Sequence, residues 1–273
     1  MDQPAAPDPA SLLALAVDTA REAGELVAKG RAGAAESVGT KSSPVDVVTA
    51  VDTASEALIV GRLLGARPDD GVLGEEGAAR PGTSGVRWVV DPIDGTVNFL
   101  YGLSGYAVCI AAEVAGRVDV GVVLDVAAGE LFTAVRGGGA HLTVGDGTPE
   151  PLAVRQPPSL DQALVGTGFG YRVEQRRVQG AVVAQLLPLV RDIRRRGSSA
   201  LDLCAVAAGR LDGYYELDLK PWDHAAAGLV ATEAGAVLSG LHGRPFAEPM
   251  AVAAAPSVAG PLLELLERLH PAG

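Results

Sequence analysis

Aromatic side chains are scarce in this chain. They make up 4% of 273 residues, so the core has to be built from Ala, Val and Leu. Cysteine is nearly absent. Cys109 and Cys204 both sit inside apolar runs, which points to buried thiols in a reducing compartment rather than a disulfide framework. The four histidines show no zinc spacing. Positive charge is in deficit, with 22 basic against 33 acidic residues and a net charge of −11. That balance disfavours broad binding to nucleic acid or an anionic membrane, both of which need a positive field, and suits an enzyme that concentrates cations. No run approaches the roughly 18 apolar residues that span a bilayer. The opening Met1-Asp2-Gln3-Pro4-Ala5 has no basic region of the kind that starts a secretory leader. The expectation is a cytoplasmic protein without repeats or low-complexity blocks.

The most informative stretch is Trp88-Val89-Val90-Asp91-Pro92-Ile93-Asp94-Gly95-Thr96. Three large apolar residues in a row leave no polar face, so Trp88 to Val90 reads as a buried strand. Pro92 lacks a ladder donor and is expected to end it, leaving Asp91 and Asp94 at a strand end and in a tight turn. Two carboxylates this close repel unless a cation lies between them. The stretch alone admits either a divalent metal site or an ordinary Asp-Gly turn.

On the N-terminal side, Asp8-Pro9 can open a helix with Leu12, Leu15, Thr19, Ala23 and Leu26 on one face, stopping near Gly30 or Gly33. A loop over 31–44 ends in Lys41-Ser42-Ser43-Pro44. A second helix is predicted from Val45 to Gly65 with the stripe Val47, Val51, Ala54 and Leu58, and with Asp52 beside it. A short strand then runs into Glu75-Glu76, and residues 78–86 read as a surface loop. Beyond the central motif, short strands at Tyr106–Glu113, Val118–Leu124, Glu130–Val135, Ala140–Val144 and Leu152–Arg155 have the spacing of an antiparallel meander.

From residue 163 single strands alternate with helices, the mark of a layered α/β arrangement. Strands are predicted at 163–167, 192–195, 211–217 and 236–239, and helices at 173–190, 199–208, 221–234 and 261–269. A division near 150 separates an α+β half, 1–150, carrying the acidic motifs from an α/β half, 151–273, the two forming one compact unit.

Three acidic clusters sit at element edges: Glu75-Glu76, Asp91 with Asp94, and Asp223 in Lys220-Pro221-Trp222-Asp223. Singly, Asp223 is equally readable as a helix-capping acid and Glu75-Glu76 as a solvated pair. Together they form a set of hard oxygen ligands without His or Cys partners, which suits Mg²⁺ or Mn²⁺. His224 reads as a packing residue beside Asp223.

Gly74-Glu75-Glu76, Asp91-Pro92-Ile93-Asp94-Gly95-Thr96, and Trp222-Asp223 followed by Thr232-Glu233-Ala234-Gly235 resemble the inositol monophosphatases, within the Mg²⁺-dependent, lithium-sensitive sugar and inositol phosphatases. Lys41 to Asp46 and Val48 to Asp52 look like that family's N-terminal signature. Gly166 to Gly170 and Gly197 to Leu203 look closest to its bacterial SuhB-type members. The resemblance covers about residues 10–265.

It implies a layered αβαβα sandwich and an often dimeric hydrolase that removes phosphate from inositol 1-phosphate through attack by metal-activated water. Two or three Mg²⁺ ions are implied, one held by Glu75, Asp91 and the Ile93 carbonyl and a second by Asp91, Asp94 and Asp223, with Glu75 helping a weaker third. Thr96, paired with Asp52, would orient and deprotonate the water, and Lys41 would steady the anion. Gly95 and Thr96 would offer backbone N–H groups to the phosphate. Asp94, Gly197, Ser198, Ser199, Glu216 and Asp223 would contact substrate. Ser198 and Ser199 stand where the family pattern has Thr and Ala, which puts polyol selectivity in question. Arg194-Arg195-Arg196 is the one basic cluster, open to a substrate, partner or solvent role. The same motifs serve relatives acting on histidinol phosphate, fructose 1,6-bisphosphate or nucleotide 3′-phosphates. Some bacterial relatives also associate with transcription or ribosomal RNA machinery.

Overall fold

The computed structural model describes residues 7–32, 38–40 and 47–270. Lys41 lies outside these residues. Helix α1 (Pro9–Gly30) begins as its sequence demands, with the Asp8 carboxylate accepting from Ala10 N and Ser11 N at 3.2 Å. Its buried line of Leu12, Ala16, Ala20, Ala23 and Val27 lies slightly round from the expected stripe.

Strands β1 (Val38–Thr40) and β2 (Val47–Thr49) pair antiparallel, so part of the expected loop is strand. Helix α2 (Ala50–Ala66) starts five residues later than the predicted Val45. The reason is a capping box: Thr49 takes the N-cap and Asp52 returns a hydrogen bond to its backbone. The inward face of α2 is Asp52, Ser55, Glu56, Ile59 and Leu63, while Ala54 is exposed, so the apolar stripe expected there is replaced by a largely polar one.

A mixed sheet of eight strands follows, in the order β10-β9-β8-β7-β6-β5-β3-β4. Its members are β3 (Gly71–Gly74), β4 (Ala79–Arg80), β5 (Val86–Asp94), β6 (Ala107–Val114), β7 (Arg117–Asp125), β8 (Glu130–Val135), β9 (Gly139–Val144) and β10 (Glu150–Pro151). Contrary to expectation, Pro92 does not end β5. The strand continues to Asp94 through a shift of register between Asp91 and Asp94, which is how a residue without a donor is tolerated in a ladder. The five-residue helix α3 (Thr96–Leu100) comes directly after it. The strand expected at 152–155 is instead the two-residue β10.

A second, five-stranded sheet has the order β12-β11-β13-β15-β14. It comprises β11 (Leu164–Thr167), β12 (Asp192–Arg194), β13 (Gly213–Leu217), β14 (Val237–Ser239) and β15 (Met250–Ala254), the last a fully buried strand that the sequence reading missed. The helices of this region are α4 (Val173–Leu186), α5 (Ser199–Ala207), α6 (Pro221–Glu233) and α7 (Pro256–Leu269). Pro188 moves the end of α4 into a 3₁₀ turn, and α7 begins before Pro261 rather than at it.

Side chains alternate across the large sheet. Trp88, Val90, Val108, Ile110 and Val122 pack under α1 and α2, whereas Val89, Cys109, Ala111 and Val123 pack under α5 and α6. Burial on both faces explains the uninterrupted apolar run at 88–90. All nine residues of α5 are buried, because that helix lies between the two sheets. The small sheet is closed on its far side by α4 and α7. The layers are helices, sheet, helices, sheet, helices: the expected αβαβα sandwich. No helix among the described residues is long and apolar enough to cross a membrane.

Candidate active site

Strands β3 and β5 are parallel neighbours, with Gly74 opposite Val90 and Glu75 N donating to the Val90 carbonyl at 3.2 Å. Their carboxyl ends therefore deliver Glu75 and Asp91 side by side. Asp94 follows at the end of β5, and α6 brings Asp223 in its first turn from the other side. Crevices at the carboxyl ends of parallel strands are common binding places in layered α/β proteins.

Asp91 is 1% exposed and accepts from Ile93 N at 3.0 Å. Burial raises its pKa well above the ordinary carboxylate value, and the charges of Glu75, Asp94 and Asp223 add to the rise. Asp94 is raised to about 6, again chiefly by burial, although hydrogen bonds from Ser198 and Ala200 pull the other way. Asp223 is raised well above its usual value by burial and by Asp94. Among the described residues no Lys or Arg forms an ion pair with Asp91, Asp94 or Asp223.

These three aspartates, hard oxygen donors without an ion-paired Lys or Arg among the described residues, fit a divalent cation in chemistry, since a bound cation reverses the pKa rise. The side chains are not gathered tightly: among the described residues no three acidic, histidine or cysteine side chains converge as a formed metal centre. Asp94 Oδ2 instead holds Ser198 Oγ and Ala200 N, and Asp223 Oδ2 accepts from Lys220 N at 2.6 Å.

Beside the carboxylates, Thr96 Oγ lies 3.0 Å from Asp52 Oδ1 and 3.0 Å from the Ile93 carbonyl, so its one proton has two acceptors. Asp52 is 0% exposed and its second oxygen accepts from Thr49 N at 2.8 Å and the Thr49 hydroxyl at 2.5 Å. The capping box thus fixes the carboxylate that reaches Thr96. Gly95 is in the left-handed region at φ 95°, and a Cβ there would lie 2.7 Å from the Gly105 carbonyl. Only glycine permits this turn.

The segment Gly197-Ser198-Ser199 comes to Asp94 as well. Both serine hydroxyls are spoken for: Ser198 donates to Asp94 and accepts from Leu201 N, and Ser199 donates to the Asp223 carbonyl at 3.1 Å. Glu216, at the end of β13, lies near enough to Asp94 and Asp223 for their charges to act on one another, and burial raises it to about 7. The described residues expected to hold metal, phosphate or substrate therefore gather around Asp94 and Asp91.

Other features resolve as structural. His224 stacks edge-on against Phe246 at 5.5 Å. Both thiols are buried and free, with pKa values pushed up by burial. The arginine run splits three ways: Arg194 pairs with Asp192, Arg195 lies over the Phe169 ring at 5.9 Å, and Arg196 approaches Asp202 at 3.9 Å.

Sequence reasoning overlooked three supports. Glu56 accepts from Glu76 N at 2.8 Å and Ala78 N at 2.9 Å, shaping the turn that carries Glu75. Ser55 donates to the Pro92 carbonyl at 3.3 Å. Asn98 donates to the carbonyls of Gly105 at 2.7 Å and Arg196 at 2.8 Å, tying the central motif to the serine segment. For the first two a signal existed: Asp52, Ser55, Glu56 and Ile59 recur at helical spacing and define the inward face.

Comparison with known proteins places this geometry in context. The model of the inositol monophosphatase family matches residues 8–271. The chain is 47% identical over 278 residues to the inositol-1-monophosphatase SuhB of Mycobacterium tuberculosis, covering 96% of each protein. It is 40% identical to the Nus factor SuhB of Haemophilus influenzae, covering 95% of this chain and 96% of that one. The solved structure of Mycobacterium tuberculosis SuhB superposes with a TM-score of 0.82 at 46% identity, covering 96% of this chain and 98% of that chain. With the five layers, the ordered acidic motifs and these likenesses in agreement, the chain belongs to the inositol monophosphatase family.

Proposed function

We propose that the protein hydrolyses phosphate monoesters of polyols, with inositol 1-phosphate as its substrate, by direct attack of water. The observation that carries this reading is the cluster in which Glu75, Asp91, Asp94 and Asp223 act on one another without an ion-paired Lys or Arg on the three aspartates among the described residues, next to the Thr96–Asp52 pair. Glu75, Asp91 and the Ile93 carbonyl are the groups to hold one Mg²⁺, and Asp91, Asp94 and Asp223 a second, with Glu75 open to a third. When bound, Mg²⁺ neutralises phosphate charge and makes water a stronger nucleophile at neutral pH.

The chain's own groups do the rest. Thr96 donates to Asp52 and keeps a lone pair to orient the attacking water, and Asp52 takes up the proton. The backbone N–H groups of Gly95 and Thr96 receive phosphate oxygens, since the first N–H groups of a helix have no partner within it. Glu216 and the Gly197–Ser199 backbone face the alcohol. Because the Ser198 and Ser199 hydroxyls already serve Asp94 and Asp223, their replacement of Thr and Ala leaves the backbone contacts intact. Lys41 is assigned to the phosphate, and a homodimer is the proposed assembly.

A phosphate-release panel with Mg²⁺ tests the substrate. It compares inositol 1-phosphate with histidinol phosphate, fructose 1,6-bisphosphate and a nucleotide 3′-phosphate. Inositol 1-phosphate should have the highest kcat/KM, and a rank far below histidinol phosphate overturns the substrate assignment. A second reading, as a binding protein of transcription or ribosomal machinery, is favoured by the Nus factor name of the Haemophilus influenzae relative. Co-purification of transcription components with a hydrolysis-dead, folded variant would support it.

A further inference from the structure

Glu216 is held in place by two neighbouring residues. The first is Tyr214, two residues earlier on β13 and therefore on the same face of the strand. Tyr214 is 0% exposed, packed in the core between the two sheets, and its hydroxyl donates to Glu216 Oε2 at 2.5 Å. The second is Gly168, just past the end of β11. That strand runs parallel to β13, with Thr167 opposite Tyr215, so Gly168 comes beside Glu216. A Cβ on Gly168 would lie 1.8 Å from Glu216 Oε2, 2.1 Å from its Cδ and 2.2 Å from its Oε1. The carboxylate rests on the bare Cα of Gly168, in space that any other residue would fill.

We infer that Tyr214 and Gly168 are positioning residues for substrate selection: together they fix the Glu216 carboxylate, Tyr214 by anchoring Oε2, in the orientation that meets a hydroxyl of the substrate's alcohol group. A glutamate has three side-chain torsions, and leaving them free makes each binding event pay their ordering entropy. Tyr214 removes that freedom by anchoring one oxygen. Gly168 removes it by opening a single berth. Phe169 and Arg195 extend the same wall, with the guanidinium over the ring at 5.9 Å. The phosphate is handled elsewhere, by the Asp91 to Thr96 motif, so the wall acts on the leaving group alone.

This inference rests on the polyol-phosphate reading, and its test separates the two. The full-length protein with Mg²⁺ is assayed on inositol 1-phosphate and on p-nitrophenyl phosphate, which has no polyol. The variants are Tyr214→Phe, Gly168→Ala, Glu216→Gln and the double variant Tyr214→Phe/Glu216→Gln. Tyr214→Phe and Gly168→Ala should each lower the ratio of kcat/KM on inositol 1-phosphate to that on p-nitrophenyl phosphate by about tenfold, the scale of one hydrogen bond to a charged group. The change should fall in KM rather than kcat. Adding Tyr214→Phe to Glu216→Gln should lower the ratio by less than about twofold further, because the two act through one carboxylate. A purely structural role would lower both substrates in proportion and leave the ratio unchanged, and that result overturns the inference. Since Tyr214 lies on β13 and Gly168 just past the end of β11, failure of one variant to fold leaves the other to decide. A wild-type protein that cleaves p-nitrophenyl phosphate but no polyol phosphate overturns the reading of the function, and this inference with it.

Discussion

The Asp94 carboxylate caps a helix that starts 105 residues further along the chain, accepting from the Ser198 hydroxyl at 2.5 Å and from Ala200 N at 2.8 Å. A proposed metal ligand is thus also the anion at the start of α5, where negative charge is favoured. Asp94→Asn should lower hydrolysis by at least about a hundredfold and change stability by no more than about 1 kcal/mol, because Asn keeps an acceptor for the cap while a buried charge is removed. Ser198→Ala should cost ~1 kcal/mol while retaining most turnover. Kinetics and urea midpoints measured side by side check this. Near-normal turnover of Asp94→Asn would remove Asp94 from the ligand set.

Thr96 and Asp52 form the second pair. Thr96→Val keeps the shape and removes the hydroxyl, so kcat should fall about 10² to 10⁴-fold, the range of general acid–base groups, with KM little changed. Asp52→Asn should show a similar kcat loss and also lose about 1 kcal/mol, because the same carboxylate accepts the Thr49 N–H and hydroxyl at the head of α2. Steady-state kinetics with thermal melts separate the two effects. A raised KM at unchanged kcat would assign the pair to binding.

Asp202 offers a pH prediction. It lies buried in α5 with Oδ1 lacking a hydrogen bond, and burial pushes it up to about 8, more than the attraction of Arg196 can offset. The folded state therefore holds this proton more tightly than the unfolded chain, whose value is near 3.8. The contribution to stability is complete at pH below 3.8 and is lost as pH rises through 8. Asp202→Asn cannot ionise. Its urea midpoint should hold steadier than the wild type's between about pH 5 and 8.5, the gap widening with pH. Parallel slopes would show that Asp202 stays charged in the fold.

Removing divalent cations should destabilise the protein. A ligand at a hundred times its Kd adds about 2.7 kcal/mol, or about 5–10 °C in Tm for a chain of this size. Dialysis against a chelator should lower Tm, and added Mg²⁺ should restore it. The rise should shrink in Asp94→Asn. A wild-type Tm that ignores Mg²⁺ would contradict the cation-binding reading.

Much of the layered fold was readable because the local signals were strong. Asp8-Pro9 opened α1, the alternating apolar runs from 107 to 144 made the meander, and Gly235 followed α6. The misreadings share a cause. Val47 to Thr49 and the polar face of α2 were taken for an apolar helix because period was weighed without the capping box, and Asp52, Ser55 and Glu56 face inward for the sake of the site rather than the core. Pro92 reads as a stop because nothing local reveals a change of register against a neighbouring strand. Met250 to Ala254, all small or flexible apolar residues, carried no period that distinguishes a strand from a helix.

The sequence by itself determined the family, the acidic motifs and the residue types that chemistry at this site requires, because these are properties of short stretches in a given order. Only the tertiary structure decided what those residues do to one another. Parallel pairing of β3 with β5 puts Glu75 beside Asp91, and packing of α5 and α6 between two sheets carries Ser198 and Asp223 to Asp94. Burial there raises the pKa of Asp91, Asp94 and Asp223, and Glu216 is held by Tyr214 and Gly168. Such effects depend on distance and on exclusion of water, and residues a hundred positions apart acquire both only when the layers close.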